Sequence, residues 1–257
     1  MSRCAEGPQA RIIGEELPRM PLRDLIGWKV TGLRNRVSDL CWERRLGINT
    51  RGSVLIHQPD AHFYGTFAYR SIFRILRRLR IGPKDVFIDI GCGKGRVVCC
   101  AATHPAARAI GVDLDASLCR QAQANAERLR FRRAPIQIIN APAQEIDYDL
   151  CTKFFLFHPF GASTLRQVVA LIRDSVARRP RTIEMAYTNP VHDDVLEQAG
   201  GFERFDRWHW HPWSGLKHDV SYWRLAQRTR LSQIRSQQSE GSVRGRFSRR
   251  RDSDRRR

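Results

Sequence analysis

The sequence predicts an α/β fold: a seven-stranded, mostly parallel sheet closed by a C-terminal antiparallel hairpin, with helices on both faces and an N-terminal helical cap. Three observations predict it. From about Gly65 to Gln227, short apolar runs alternate with segments of helical period, the pattern of a parallel sheet covered on both faces. The first of the strand-like runs leads directly into a glycine-rich turn and a further helical segment. The last two are aromatic and partly alternating, as hairpin strands are.

In chain order, Leu22–Leu46 places Leu22, Leu25, Ile26, Val30, Leu33, Val37, Leu40 and Cys41 at three-and-four spacing, a helical face weakened by Gly27 and Gly32. This predicts a broken helical cap. Residues 66–80 carry Phe67, Ile72, Phe73, Leu76 and Leu79 on one stripe, and Gly82-Pro83 ends it. Arg74, Arg77, Arg78 and Arg80 read as its solvated side. Strands are predicted at Val86–Ile90, 109–113, 136–139, Lys153–Phe157 and 182–187. Between them come helices at 95–103, 116–131 with Asp115 as N-cap, 164–178 and, after the fifth strand, 191–199. Residues 202–213 and 218–226 form the closing hairpin.

The chain has 257 residues, 42% of them hydrophobic, enough for one substantial core plus an appendage. The predicted layout is a cap at 1–60, one α/β domain at 61–227 and a disordered tail at 228–257, where Ser, Arg, Gln and Gly dominate. With no run of about eighteen apolar residues and an N-terminus rich in Arg, Glu and Pro, a soluble cytoplasmic protein with no membrane partner is expected. The seven cysteines, at 4, 41, 92, 99, 100, 119 and 151, contain no Cys-x-x-Cys pair, so no metal site is expected and Cys99-Cys100 reads as packing. The net charge is +19, from 45 basic and 26 acidic residues, and only five of the basic residues are Lys. The tail holds eleven Arg against three acids, a net +8 that leaves +11 elsewhere. Such charge favours RNA or another polyanion as a partner of the tail.

The chemical signal lies at the end of the first strand, in Phe87-Ile-Asp-Ile-Gly-Cys-Gly-Lys-Gly-Arg96. Gly91, Gly93 and Gly95 permit a tight turn and close backbone approach, and the following helix presents free N–H groups, so the loop, with Cys92, reads as a cofactor cradle. A dinucleotide fingerprint would need glycine where Arg96 stands. Asp89, two residues before Gly91, suits the cationic methionine end of S-adenosylmethionine and not a pyrophosphate. Asp113, about twenty residues after the loop at a strand end, is placed to accept from both ribose hydroxyls.

These residues resemble a known set. Residues 85–102 look like motif I of class I S-adenosylmethionine-dependent methyltransferases and Gly111-Val-Asp113 like the next motif. An α/β sheet ending in an antiparallel hairpin is likewise the Rossmann-like fold of that class. Tyr64-Gly65-Thr66, Phe155-Leu-Phe-His-Pro-Phe-Gly161 and Leu46-Gly-Ile-Asn-Thr-Arg-Gly52 are together similar to a bacterial methyltransferase family related to the non-SET histone-lysine methyltransferases of the telomeric-silencing type. The resemblance spans about residues 43–227. It implies methyl transfer from S-adenosylmethionine to a protein, RNA or small molecule, with Tyr64 and Thr66 joining Asp89, Gly91, Cys92, Gly93, Gly95 and Asp113 at the cofactor. The chain departs from the pattern three times. Asn140-Ala-Pro-Ala143 lacks the Asp expected near adenine, His158 replaces an Asn, and Thr66 stands where the histone enzymes have Glu. Histone methylation is therefore not implied.

His158, at the carboxyl end of the fourth strand, is the candidate catalytic residue, a neutral imidazole able to take a proton from an attacking amine or hydroxyl. Its other reading is a residue that fills space or orients the substrate. His209, His211 and His218, among Trp208, Trp210 and Trp213, read as hairpin packing. Tyr64 and Tyr69 read equally as aromatics closing over a sulfonium or as core. The alternative to an enzyme is a catalytically inactive cofactor-fold protein that binds nucleic acid through its basic surface and tail. Asp89, the three glycines and Asp113, all intact, favour the enzyme.

Overall fold

The computed structural model describes residues 21–52, 67–214, 216 and 218–226. Tyr64, Thr66 and the predicted tail lie outside the described residues. Seven strands form one sheet in the order β3-β2-β1-β4-β5-β7-β6. They are β1 (Val86–Ile90), β2 (Arg108–Asp113), β3 (Ile136–Asn140), β4 (Lys153–Phe157), β5 (Ile183–Thr188), β6 (Phe202–Trp208) and β7 (Val220–Leu225). The first five pair in parallel, and β7 pairs antiparallel with both β5 and β6, as the sequence predicts.

Alternation along each strand divides the core in two. Phe87, Ala109, Phe155, Ala186 and Tyr222 face one side, where α2 (Tyr69–Leu79) and α3 (Arg96–Ala101) supply Ile72, Leu76, Leu79 and Val98. Ile88, Ile90, Phe154, Leu156 and Met185 face the other, against Leu165, Val168 and Ile172 of α5 (Ala162–Arg178) and Val195 of α6 (Asp193–Gln198). Both faces of the central strands are thus dry, which is why they read as continuous apolar runs. In α4 (Ala116–Arg128) the Asp115 side chain accepts from the Leu118 N–H at 2.8 Å, the predicted N-cap. Cys99 and Cys100 are fully buried free thiols that fill the core. Arg74, Arg77 and Arg80 are exposed, as expected, and Arg78 is half-buried. Arg78 bonds Asp206 at 2.7 Å, and Arg74 reaches the Ser214 carbonyl at 2.8 Å, so they tie α2 to the hairpin.

The cap departs from expectation more sharply. It is one unbroken helix, α1 (Leu22–Leu46), and Gly27 does not interrupt it. A Cβ there would overlap the Trp213 ring, so Gly27 is a close packing point. The inward face of α1 holds Gly27, Thr31, Asn35, Glu43 and Leu46, whereas the aliphatic stripe points outward. Arg96 holds it in that orientation. Its guanidinium, 4% exposed, donates to Thr50 Oγ1 at 2.6 Å, Asp39 Oδ2 at 3.1 Å, Glu43 Oε1 at 3.2 Å and the Phe67 carbonyl at 2.9 Å. It also stacks 4.5 Å from the centre of the Tyr69 ring. Tyr69 is accordingly a core residue beneath Arg96. Removing Arg96 takes this counter-charge from Asp39 and leaves buried Glu43 with Arg51. Arg96→Met is expected to lower unfolding free energy by about 3 kcal/mol in urea titrations. A loss within error would show that α1 is held by other contacts.

Candidate active site

The chain reverses direction across the sheet between β1 and β4, and the crevice at the carboxyl ends of these strands is where ligands bind in open α/β sheets. The loop leaving β1 occupies that position. Gly91, Gly93 and Gly95 have φ of 79°, 54° and 79°, the left-handed region that glycine enters without strain. Two of them are also required by the protein's own atoms. A Cβ on Gly91 would come 2.6 Å from Pro159 Cβ, and one on Gly95 would come 3.1 Å from Ala122 Cβ. Gly91 thus lets the segment after β4 approach the loop, and Gly95 lets α4 approach α3.

Asp113 anchors this loop. Its Oδ2 accepts from the Gly93 N–H at 2.7 Å and its Oδ1 from the Asp115 N–H at 3.0 Å. Burial raises its pKa above the ordinary carboxylate value, and these N–H bonds oppose the rise. Each oxygen retains a further lone pair. Cys92 lies on the other side of the loop, where its buried sulfur fills the space a Cβ on Gly111 would take, 2.9 Å away. Burial pushes its thiol pKa up, so it is a packed apolar group supporting the turn.

Asp89 is incompletely satisfied. It is 2% exposed, and its Oδ2 has no hydrogen-bond partner among the described residues. Burial, and then the charge of Asp113, raise its pKa well above the ordinary 3.8, while the Val98 N–H opposes. Buried carboxylate oxygens are rarely left without a donor, and a ligand bearing cationic donors would complete this one.

At the neighbouring strand ends the backbone is strained. His158 after β4 has φ 40° and Asn189 after β5 has φ 51°, conformations that non-glycine residues adopt seldom. His158 Nδ1 lies 3.3 Å from the Tyr187 hydroxyl, which also accepts from the His192 N–H at 3.4 Å. The His158 and His192 rings are 5.3 Å apart. Tyr187 and His192 were not singled out from the sequence. Tyr187 reads there as an apolar strand residue, and only the pairing of β4 with β5 brings it beside His158. Burial raises the Tyr187 pKa, so its hydroxyl stays protonated. His209 bonds Asp219 at 3.2 Å, His218 stacks 5.2 Å from Phe157, and no metal-binding cluster occurs among the described residues.

Residues 87–178 match the family model described as a methyltransferase domain, a span that starts in β1 and ends with α5. The chain thus carries a methyltransferase domain. Among solved structures, this methyltransferase is similar to an S-adenosylmethionine-dependent O-methyltransferase from Thermotoga maritima. The identity is 14% and the TM-score 0.50, with 65% of this chain and 68% of that one covered, a likeness of fold. It is also similar to an RNA methyltransferase from Salinibacter ruber in complex with S-adenosyl-L-homocysteine, at 19% identity and TM-score 0.48, covering 65% of this chain and 96% of that one. No curated protein matches the chain.

The raised pKa of Asp89 has a measurable consequence. A carboxyl held above its unfolded pKa binds its proton more tightly when folded, so it destabilises the fold increasingly as pH rises from the unfolded value towards the folded one. Asp89→Asn should therefore be more stable than the parent at pH 8, by about 1–3 kcal/mol, and indistinguishable from it below about pH 4. Thermal denaturation across that range checks this, and a variant less stable at pH 8 would contradict it.

Proposed function

We propose that this methyltransferase holds S-adenosylmethionine through Asp89, Asp113 and the loop between them, and delivers the methyl group to a nitrogen or oxygen acceptor at the His158–Tyr187 edge. The observation that carries the reading is the unpartnered Oδ2 of Asp89, buried at the end of the strand that leads into the glycine turn. An ammonium donor satisfies that oxygen and a pyrophosphate does not. The bound cofactor supplies an electrophilic methyl on a sulfonium. The protein's contribution is position and a dry site. Asp89 binds the cationic amino acid end, Asp113 accepts from the ribose hydroxyls while it anchors Gly93, and Cys92 supports the turn. His158, oriented by Tyr187, takes the proton that an attacking amine or hydroxyl releases.

The finer kinship, with the bacterial family related to the telomeric-silencing enzymes, is supported by Leu46-Gly-Ile-Asn-Thr-Arg-Gly52 and by the His-Pro-Phe-Gly string after β4. In the first of these motifs Leu46 is buried and Thr50 bonds Arg96, so the string joins the cap to the cofactor loop. RNA or another polyanion as acceptor is favoured by the net charge of +19.

Titration calorimetry with S-adenosylmethionine tests the cofactor site. Asp89→Asn and Asp113→Ala should each weaken binding at least about tenfold, equivalent to ~1.4 kcal/mol. Equal affinity in Asp89→Asn would refute the role given to that carboxylate. Acceptors are found by incubating extract with methyl-labelled cofactor and separating RNA, protein and small molecules. With the acceptor in hand, His158→Ala should cut turnover by about a hundredfold or more at unchanged cofactor affinity. Full turnover in that variant would remove His158 as the base.

A further inference from the structure

The outward face of α1 is the largest feature that the cofactor site leaves unexplained. Six aliphatic side chains, Leu22, Ile26, Val30, Leu33, Val37 and Leu40, are between 43% and 73% exposed. They recur at four- and three-residue steps, so at 100° per residue they occupy one sector about 80° wide and about 27 Å long. Lys29 and Arg36 border this sector on one side and Arg23, Arg34 and Arg45 on the other, all exposed. The three acids of the helix lie elsewhere. Asp39 and Glu43 are turned in to Arg96, and Asp24 projects from the side opposite the stripe.

The orientation is not accidental. Rolling the stripe inward would break both ion pairs to Arg96 and the bond from Thr31 Oγ1 to the Pro212 carbonyl at 2.9 Å. The polar face of α1 is committed to the protein, and the apolar face is left to something else.

We propose that α1 is an interfacial helix that seats the enzyme on an anionic membrane surface. An aliphatic sector bordered on both sides by cations is what a helix lying in the headgroup region requires: the stripe enters the acyl boundary and the cations meet lipid phosphates. Trp213, 44% exposed, borders a hollow of about 620 Å³ with Leu22, Arg23 and Ile26, and adds an indole beside the N-terminal end of the stripe. RNA would match the charge but gives the aliphatic groups nothing to bury against. A second copy would set Lys29, Arg34 and Arg36 beside the same cations. A folded protein partner is favoured by aromatic anchors at the centre of the contact, and Trp213 stands only beside the Leu22 end of the stripe. The expectation of no membrane partner rested on the lack of a spanning segment. No described helix is long and apolar enough to cross a membrane, but an interfacial helix does not cross one.

Flotation of the full chain with phosphatidylcholine vesicles, with and without phosphatidylglycerol, tests this. Binding should require phosphatidylglycerol. The double substitution Leu33→Glu with Val37→Glu, both on exposed positions, should weaken it at least about tenfold while S-adenosylmethionine affinity stays unchanged. Three outcomes would overturn the proposal. They are no binding to anionic vesicles, equal binding by the double variant, which would assign the attraction to the basic tail, and a solution dimer that the double variant splits without any vesicle binding. Loss, in the double variant, of a soluble acidic protein bound by the parent, again without vesicle binding, would equally overturn it.

Discussion

Much of this structure depends on one buried guanidinium. Arg96 is the first residue of α3, immediately after the glycine turn, and it is almost fully withdrawn from water. A cation there persists only if it is paired and its N–H groups are spent. Asp39 and Glu43 supply the charge, Thr50 and the Phe67 carbonyl take further hydrogens, and Tyr69 covers the face of the ion. Glu43 in turn accepts from the Thr50 backbone and the Arg51 side chain, so the segment after α1 is bound into the same set. The glycine-rich loop after β1 and helix α1 are thereby tied together through one buried set of bonds.

The site built on that foundation accepts local costs. Asp89 is buried without a full complement of donors, Asp113 is buried near it, and His158 and Asn189 adopt left-handed backbone. Left-handed backbone also occurs at Arg80 and Phe131, whereas the incompletely bonded buried carboxyl at the glycine turn is a cost that a ligand bearing donors would offset. The surrounding sheet sustains this. Its central strands are buried on both faces, and the hydrogen-bond register from β3 to β6 holds the carboxyl ends at fixed spacing.

The same economy explains the two faces of α1. A helix in a soluble domain normally buries its apolar stripe. Here the polar side carries the ion pairs to Arg96, and these select the orientation because an abandoned buried cation costs more than exposed aliphatic surface. The domain thus displays an apolar, cation-bordered ridge as a consequence of how it secures its own glycine-rich loop.

Much was legible in the sequence by itself. Alternating runs marked β1 and β4 to the residue, because strands buried on both faces leave an unbroken apolar signature bounded by turn residues. The Asp-x-Gly-x-Gly-x-Gly string was legible because its backbone conformation excludes side chains. Tertiary structure decided the rest. Periodicity shows which residues of α1 share a face but not what that face meets, and the partner of Arg96 lies more than fifty residues away along the chain. Tyr187 becomes a neighbour of His158 only when β4 and β5 pair, and Cys92 becomes packing only because Gly111 leaves room for its sulfur. Local sequence encodes conformation and pattern. Contacts between distant segments depend on how the layers close, and no local pattern records that.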